Sequence, residues 1–328
     1  MSKNPKPSRL RRPRLLIVGC GDVGGRCLAL LAARLRIFAV TSQPGRRDAL
    51  RAAGAVPLVA DLDRPASLAR LRGLAGRVLH LAPPPPQGED DPRTRALLGV
   101  LRRRPWRRAR HAGAPRRGKP GILPERAGHR AFEPGRAARP ALVYASTSGV
   151  YGDLGGARVD ETRRLSPTTP RARRRVAAER AVRRFGAAAG WRAGIVRIPG
   201  IYAAERLPLA RLARGTPALV AQEDVYTNHI HADDLARVLV AALFRGRAQR
   251  VVHASDDSEL RMGDYFDLVA DRRGLPRPPR LTRRLLAEQV EPSLLSFMSE
   301  SRRLDNTRLK RELRVRLRYP TVADFLGT

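Results

Sequence analysis

A chain of 328 residues has room for one large domain or two smaller ones, and its 42% hydrophobic content fits a globular protein. No apolar run approaches the ~18 residues of a membrane span, and no cleavage pattern follows the basic start, so a cytoplasmic protein is expected. The net charge of +35 rests on arginine, with lysine only at 3, 6, 119 and 310; 5% aromatic content and no nucleic-acid motif weigh against a specific nucleic-acid binder and favour an arginine-rich composition.

Residues 1–13 read as a basic tail, and residues 1–14 carry six basic side chains and no acid. The first strand, Leu15 to Val18, runs into Gly19-Cys20-Gly21-Asp22-Val23-Gly24, which fits G-x-G-x-x-G. Leu28, Leu31 and Leu35 then recur at helical spacing. In this strand–turn–helix setting Gly19 makes the turn, Gly21 admits a pyrophosphate and Gly24 lets helix and strand pack. The helix start, including Asp22 and Val23, offers free N–H groups to phosphate. A second strand, Arg36 to Val40, is followed by Thr41 and Ser42 where an NAD site places Asp or Glu. With Arg46 and Arg47 just beyond, this favours the 2′-phosphate of NADP over NAD.

A third strand, Ala55 to Ala60, ends at Asp61, a candidate adenine contact, and Asp63 precedes a helical stretch running to Leu74. A fourth, Arg77 to Ala82, carries Leu81 and Ala82 to the cofactor and leads into the rigid prolines 83–86. Thr94 to Arg104 has helical character. Residues 105–139 have no periodicity, and 102–139 hold thirteen basic residues against two acidic ones. So long a structureless stretch reads either as a disordered insertion or as the product of a compensated reading-frame shift.

Order resumes with the strand Ala141 to Ala145, a helix about Thr169 to Ala189 and a strand Ala193 to Ile198. Alternation at this spacing predicts an α/β protein: a Rossmann-type doubly wound parallel sheet over 14–200. A smaller C-terminal substrate-binding portion follows at 201–328, with 231–254 packing back on the sheet. Cys20 and Cys27 make no disulfide framework, and His229-x-His231 lacks a third ligand, so no metal is expected.

Four stretches together, GCGDVG at 19–24, STSGVYGD at 146–153, RIPGIYA at 197–203 and NHIHADDLARVLVAAL at 228–243, resemble the extended short-chain dehydrogenase/reductase superfamily, its NAD-dependent epimerase/dehydratase group. The resemblance covers most of the chain outside the tail and residues 105–139. It implies a Tyr that passes a proton, a Lys four residues on that lowers its pKa, and a Ser or Thr that holds the substrate oxygen. Thr147 matches the Ser/Thr position, but counting back from Glu179 the Tyr and Lys positions hold Arg171 and Arg175. Arginine stays protonated and cannot exchange a proton near pH 7. Tyr151 and Tyr202, and beyond them Tyr226 and His231, are then the candidate replacements.

The resemblance implies an NAD(P)-dependent oxidoreductase or epimerase/dehydratase-like protein acting on a small molecule, with an anion suited to Arg171 and Arg175. Loss of Tyr and Lys leaves a second expectation open, a non-catalytic dinucleotide-binding sensor or scaffold. No specific nucleic acid and no membrane is expected as partner, and a homodimer is compatible with the family.

Overall fold

The computed structural model describes residues 12–102, 139–291, 295–296 and 298–327. The tail before residue 12 and almost all of the 105–139 stretch lie outside the described residues. Seven strands form one sheet: β1 (Arg14–Val18), β2 (Arg36–Thr41), β3 (Val56–Val59), β4 (Arg77–His80), β5 (Ala141–Thr147), β6 (Arg192–Ile198) and β7 (Arg250–His253). Their order is β7-β6-β5-β4-β1-β2-β3, and every pairing is parallel. The order reverses between β1 and β4, which opens a crevice at their carboxyl ends.

Both faces of the sheet are covered, which is why its strands are apolar without alternation. Successive side chains of β1 go to opposite faces. Leu15 and Ile17 join a core with α1 (Asp22–Leu31) and the later helix Ala232–Arg245. Leu16 and Val18 join one with α2's neighbour turn Pro65–Leu71, α3 (Pro92–Arg102) and α4 (Pro170–Ala189), where α2 is Arg47–Ala52. The stretch after Asp63 is thus a 3-10 turn over Pro65–Leu71 rather than a helix reaching Leu74. We number Ala232–Arg245 α5; it packs on α1 and leads back into β7, the outer strand of the sheet.

A second, smaller core gathers Tyr202, Leu212, Leu219, Val269 and Leu326 around α6 (Met262–Arg273). The chain crosses between the two cores several times. Residues 200–202 pair in parallel with 229–231, and Leu304 pairs with Val159. Asn228 ties these crossings together: its side-chain N–H donates to Arg302 O at 2.9 Å and its Oδ1 accepts from Leu304 N at 2.8 Å. The two cores therefore face each other across the carboxyl edge of the sheet.

Beneath that edge lies a buried polar network. Arg197 and Glu179 form a two-pronged ion pair, 2.8 Å at its shorter contact, with both side chains 3% exposed. Glu179 accepts from Ser146, and Arg197 donates to the Tyr151 hydroxyl, which also meets His253 Nε2 at 2.6 Å. The network joins α4 to β5, β6 and β7, and so fixes the start of α4 relative to the end of β5.

Candidate active site

The crevice at the strand-order reversal has a volume of about 340 Å³. Its floor is the turn after β1. Gly19 has φ +87°, and a Cβ there would lie 2.4 Å from Ala82 N, so the close approach of β1 and β4 requires glycine. Gly21 differs: a Cβ on it would meet nothing within 4 Å of protein. The room it leaves belongs to the crevice, at the free N–H groups of the α1 start. Gly24 is a packing glycine, whose Cβ would stand 3.1 Å from Gly19 O.

Of the residues expected at a dinucleotide, Gly19, Gly21, Ser42, Arg46, Asp61, Leu81 and Ala82 line this crevice. Asp22, Val23, Gly24 and Arg47 are not among its lining residues, though the first three form the α1 start beside Gly21. Asp22 is turned to Arg26 and Arg206, which together hold its carboxyl below the usual range against the opposing effect of burial. Val23 packs against the first core, and Arg47 opens α2. Arg93 was not anticipated; it lines the crevice while paired with Asp63 and donating to Pro84 O at 3.2 Å, so it also fastens the proline loop.

A second cleft, about 570 Å³, lies between the end of β5 and the smaller core. Thr147, Ser148 and Gly149 form one wall and the α4 start, with Arg171, the next. Local sequence explains this wall. Thr147 Oγ1 accepts from Gly149 N at 3.3 Å and turns the chain, while Thr169 caps α4 by accepting from Ala172 N at 3.2 Å with Pro170 in the first turn. Arg175, one turn after Arg171, donates to Ala145 O at 2.7 Å and Tyr144 Oη at 3.1 Å, which ties α4 to β5 below the cleft. The opposite wall holds Arg211, Tyr226, Asn228, His229, Tyr265 and Arg302.

The cleft is cationic. Arg302 is paired with Glu300 at 2.9 Å, yet its buried Nε lacks a partner among the described residues. Arg211 is half-buried over the Phe266 ring at 4.5 Å, with Nε and Nη1 also unpartnered. Burial pulls Arg211 and Arg171 below the ordinary guanidinium range; at Arg171 the charges of Arg174 and Arg175 add to it against Glu300. Both still carry full charge near neutral pH. His229 is 5% exposed, and burial depresses it to about 4, so it is a neutral imidazole beside Tyr265, with ring centroids 4.3 Å apart.

Two of the three expected catalytic side chains are not at the cleft. Tyr151 is fully buried in the Arg197 network, and burial pushes its phenol up to about 12. Tyr202 is 1% exposed, its hydroxyl turned to Asp256, and burial followed by that carboxylate raises it far above an ordinary phenol. Neither can reach a molecule in the cleft, so both assignments are corrected, while Thr147 remains on the wall. His231 caps α5, its Nδ1 accepting from Asp233 N at 3.2 Å, and is not a cleft residue. Tyr226 does line the cleft, with the Arg303 and Arg261 guanidiniums 4.8 and 5.6 Å from its ring centroid. Arg211, Tyr265 and Arg302 gave no signal in the sequence; Asn228 and His229 sit in the NHIHADDL stretch that carries the family resemblance, where His231 rather than either of them is the candidate acid/base. Among the described residues no group of three His, Cys, Asp or Glu is placed to hold a metal ion, and no helix is long and apolar enough to cross a membrane.

Fold and crevice define the class, a Rossmann-type α/β protein with a smaller lobe over the carboxyl edge of its sheet. Residues 130–254 match the model of the NAD dependent epimerase/dehydratase family. A conserved protein of unknown function from Silicibacter pomeroyi is similar over 96% of both chains, with 28% identity and a TM-score of 0.73. The UDP-glucuronic acid 4-epimerase of Bacillus cereus, solved with NAD, gives 16% identity and a TM-score of 0.68 over 95% of this chain and 96% of that one. A dTDP-glucose 4,6-dehydratase from Streptomyces venezuelae, also solved with NAD, gives 18% and 0.67 over 96% of both. No curated protein sequence matches the chain.

Proposed function

We propose that the protein is a nicotinamide-dinucleotide-dependent oxidoreductase or epimerase-type enzyme acting on an anionic small molecule. One observation carries the reading: the crevice at the strand-order reversal is bordered by a glycine whose missing side chain faces open space rather than protein. The NAD complexes of the Bacillus and Streptomyces proteins support it, as does the family match. Gly19, Gly21 and the α1 start would hold the pyrophosphate and Asp61 the adenine end. No carboxylate follows β2; Ser42 and Arg46 line that part of the crevice instead, which supports NADP over NAD.

Bound there, the nicotinamide would supply or accept a hydride. The chain's own groups do the rest. The Thr147 hydroxyl would hold the reacting oxygen of the substrate. Arg171 and Arg175 stand where the family's Tyr and Lys are expected, so Arg171 would stabilise negative charge on that oxygen without moving a proton. Arg211 and Arg302, with buried N–H groups lacking partners, would bind the substrate's anionic group. Of the two cleft phenols, Tyr226 and Tyr265, the more exposed Tyr226 would exchange the proton.

The test is a titration with NADPH and NADH followed by nicotinamide fluorescence, then a screen of anionic carbonyl and hydroxyl compounds. Binding with turnover that Tyr226→Phe lowers at least tenfold, with cofactor affinity unchanged, supports the full reading. The two arginines at the Tyr and Lys positions favour a second reading, a dinucleotide-binding sensor; cofactor binding with no turnover across the screen selects it. Failure to bind either nucleotide removes both.

A further inference from the structure

The edge of the sheet opposite both sites is also a built feature. Five of the seven strands begin with arginine: Arg14, Arg36, Arg77, Arg192 and Arg250. Since all the strands are parallel, these five side chains start from one edge. Two of them are committed to the protein. Arg192 donates to Leu243 O and Gly246 O at the end of α5, and Arg250 pairs with Glu312. Arg36 lies over the Phe38 ring.

The others surround a cavity. Arg12, Arg14, Arg77 and Arg139 line a concavity of about 530 Å³ whose remaining wall is Pro13, Pro140 and the turn 73–76. Among the described residues no carboxylate lines it. Arg12 keeps one bond, to Ala32 O at 3.2 Å, and Arg77 rests 5.3 Å from the centroid of the Phe244 ring, which is 41% exposed. The charge of Arg77 is felt nearby: after burial, it is what lowers Arg192. Four guanidiniums around one hollow repel one another, and an anion in the hollow lowers that repulsion.

We propose that this cavity is a second binding site, for the polyphosphate group of a small molecule. The volume is that of a small-ligand pocket rather than of an extended groove, so it suits a nucleotide-sized ligand and not a nucleic-acid strand. The donors fit phosphate: guanidiniums offer paired N–H groups to its oxygens, and two of the four, Arg14 and Arg77, stand at strand starts held in place by the sheet. The site lies at the amino-terminal edge and the dinucleotide crevice at the carboxyl edge, so the two can fill together.

The probe is inorganic tripolyphosphate, titrated calorimetrically into the full chain at near-physiological salt, where purely diffuse attraction is strongly screened. Four variants accompany it. Arg77→Gln/Arg139→Gln and the single Arg14→Gln remove cavity charge. Arg272→Gln/Arg273→Gln removes equal charge from exposed positions on α6, and Gly21→Arg blocks the dinucleotide crevice. The expected result is saturable binding, weakened about tenfold or more by the cavity double variant and less by Arg14→Gln, with the α6 pair and Gly21→Arg unchanged. Equal thermal midpoints among the variants show that folding is not the cause. The proposal is overturned by absence of binding, by equal weakening in the two double variants, by loss in Gly21→Arg, or by a single-stranded oligonucleotide that outcompetes the probe equally in the wild type and the cavity variant.

Discussion

The dinucleotide crevice and the neighbouring cleft are built in opposite ways. The crevice comes from short, ordered pieces: the ends of β1, β2, β3 and β4 and the turns that follow them. Each piece is fixed by its own strand, so its chemistry is contiguous in sequence. The cleft draws on segments from Thr147 to Arg302 and closes only when the smaller core packs over the sheet edge. The difference teaches where each is fragile. A change at the crevice acts on a ligand or on one turn, whereas a change under the cleft acts on how two cores meet.

The sharpest contrast uses the crevice. Gly21→Arg fills space open in the protein, so dinucleotide affinity should fall about a hundredfold or more while the thermal midpoint stays within a few degrees. Fluorescence titration and a melt measure both; a collapsed melt would show that Gly21 serves the fold instead. The counterpart beneath the cleft is Glu179→Gln, which leaves Arg197 buried beside a neutral amide. Its expected cost is ~3–5 kcal/mol in denaturant unfolding. A loss below ~1 kcal/mol would mean that the network does not hold the two cores in register.

The acid limb of stability separates the regions further. Burial depresses His80 to about 3 and both His229 and His253 to about 4. Below about pH 6.5 the unfolded chain binds protons that these folded imidazoles refuse, so their contribution is complete above that pH and is lost as pH falls toward 4. Asp256, pushed up to about 7 by burial, opposes with one proton over the same range. These four groups together give a slope of about two protons between pH 6 and 5, or ~2–3 kcal/mol per pH unit. A flat profile there would contradict the buried-neutral assignment.

The smallest expected effect is at Asp256 itself. Its folded pKa lies above the unfolded one, so the stability it contributes is present below about pH 4 and lost as pH rises through about 7. Asp256→Asn keeps the acceptor for Ser258 N and removes the buried charge, and should gain ~1–2 kcal/mol at pH 8 and little at pH 5. Equal gains at both pH values would point to packing instead.

The sequence by itself determined the strands, their parallel order of use and the glycine turn, because apolar runs and G-x-G-x-x-G depend on neighbours a few residues away. It also placed Thr147 and Arg171 on one wall, through a resemblance whose motifs lie at the ends of β5 and at the start of α4. It could not determine which tyrosine meets the cleft. Tyr151, Tyr202 and Tyr226 all follow strand-like stretches, and only packing against Arg197 and Asp256 buries the first two while the third is left on the wall. Arg211 and Arg302 were indistinguishable from dozens of other arginines until the second core folded over the sheet edge. Local pattern sets where a backbone goes; the partner a side chain finds across the fold decides whether it is structure or chemistry.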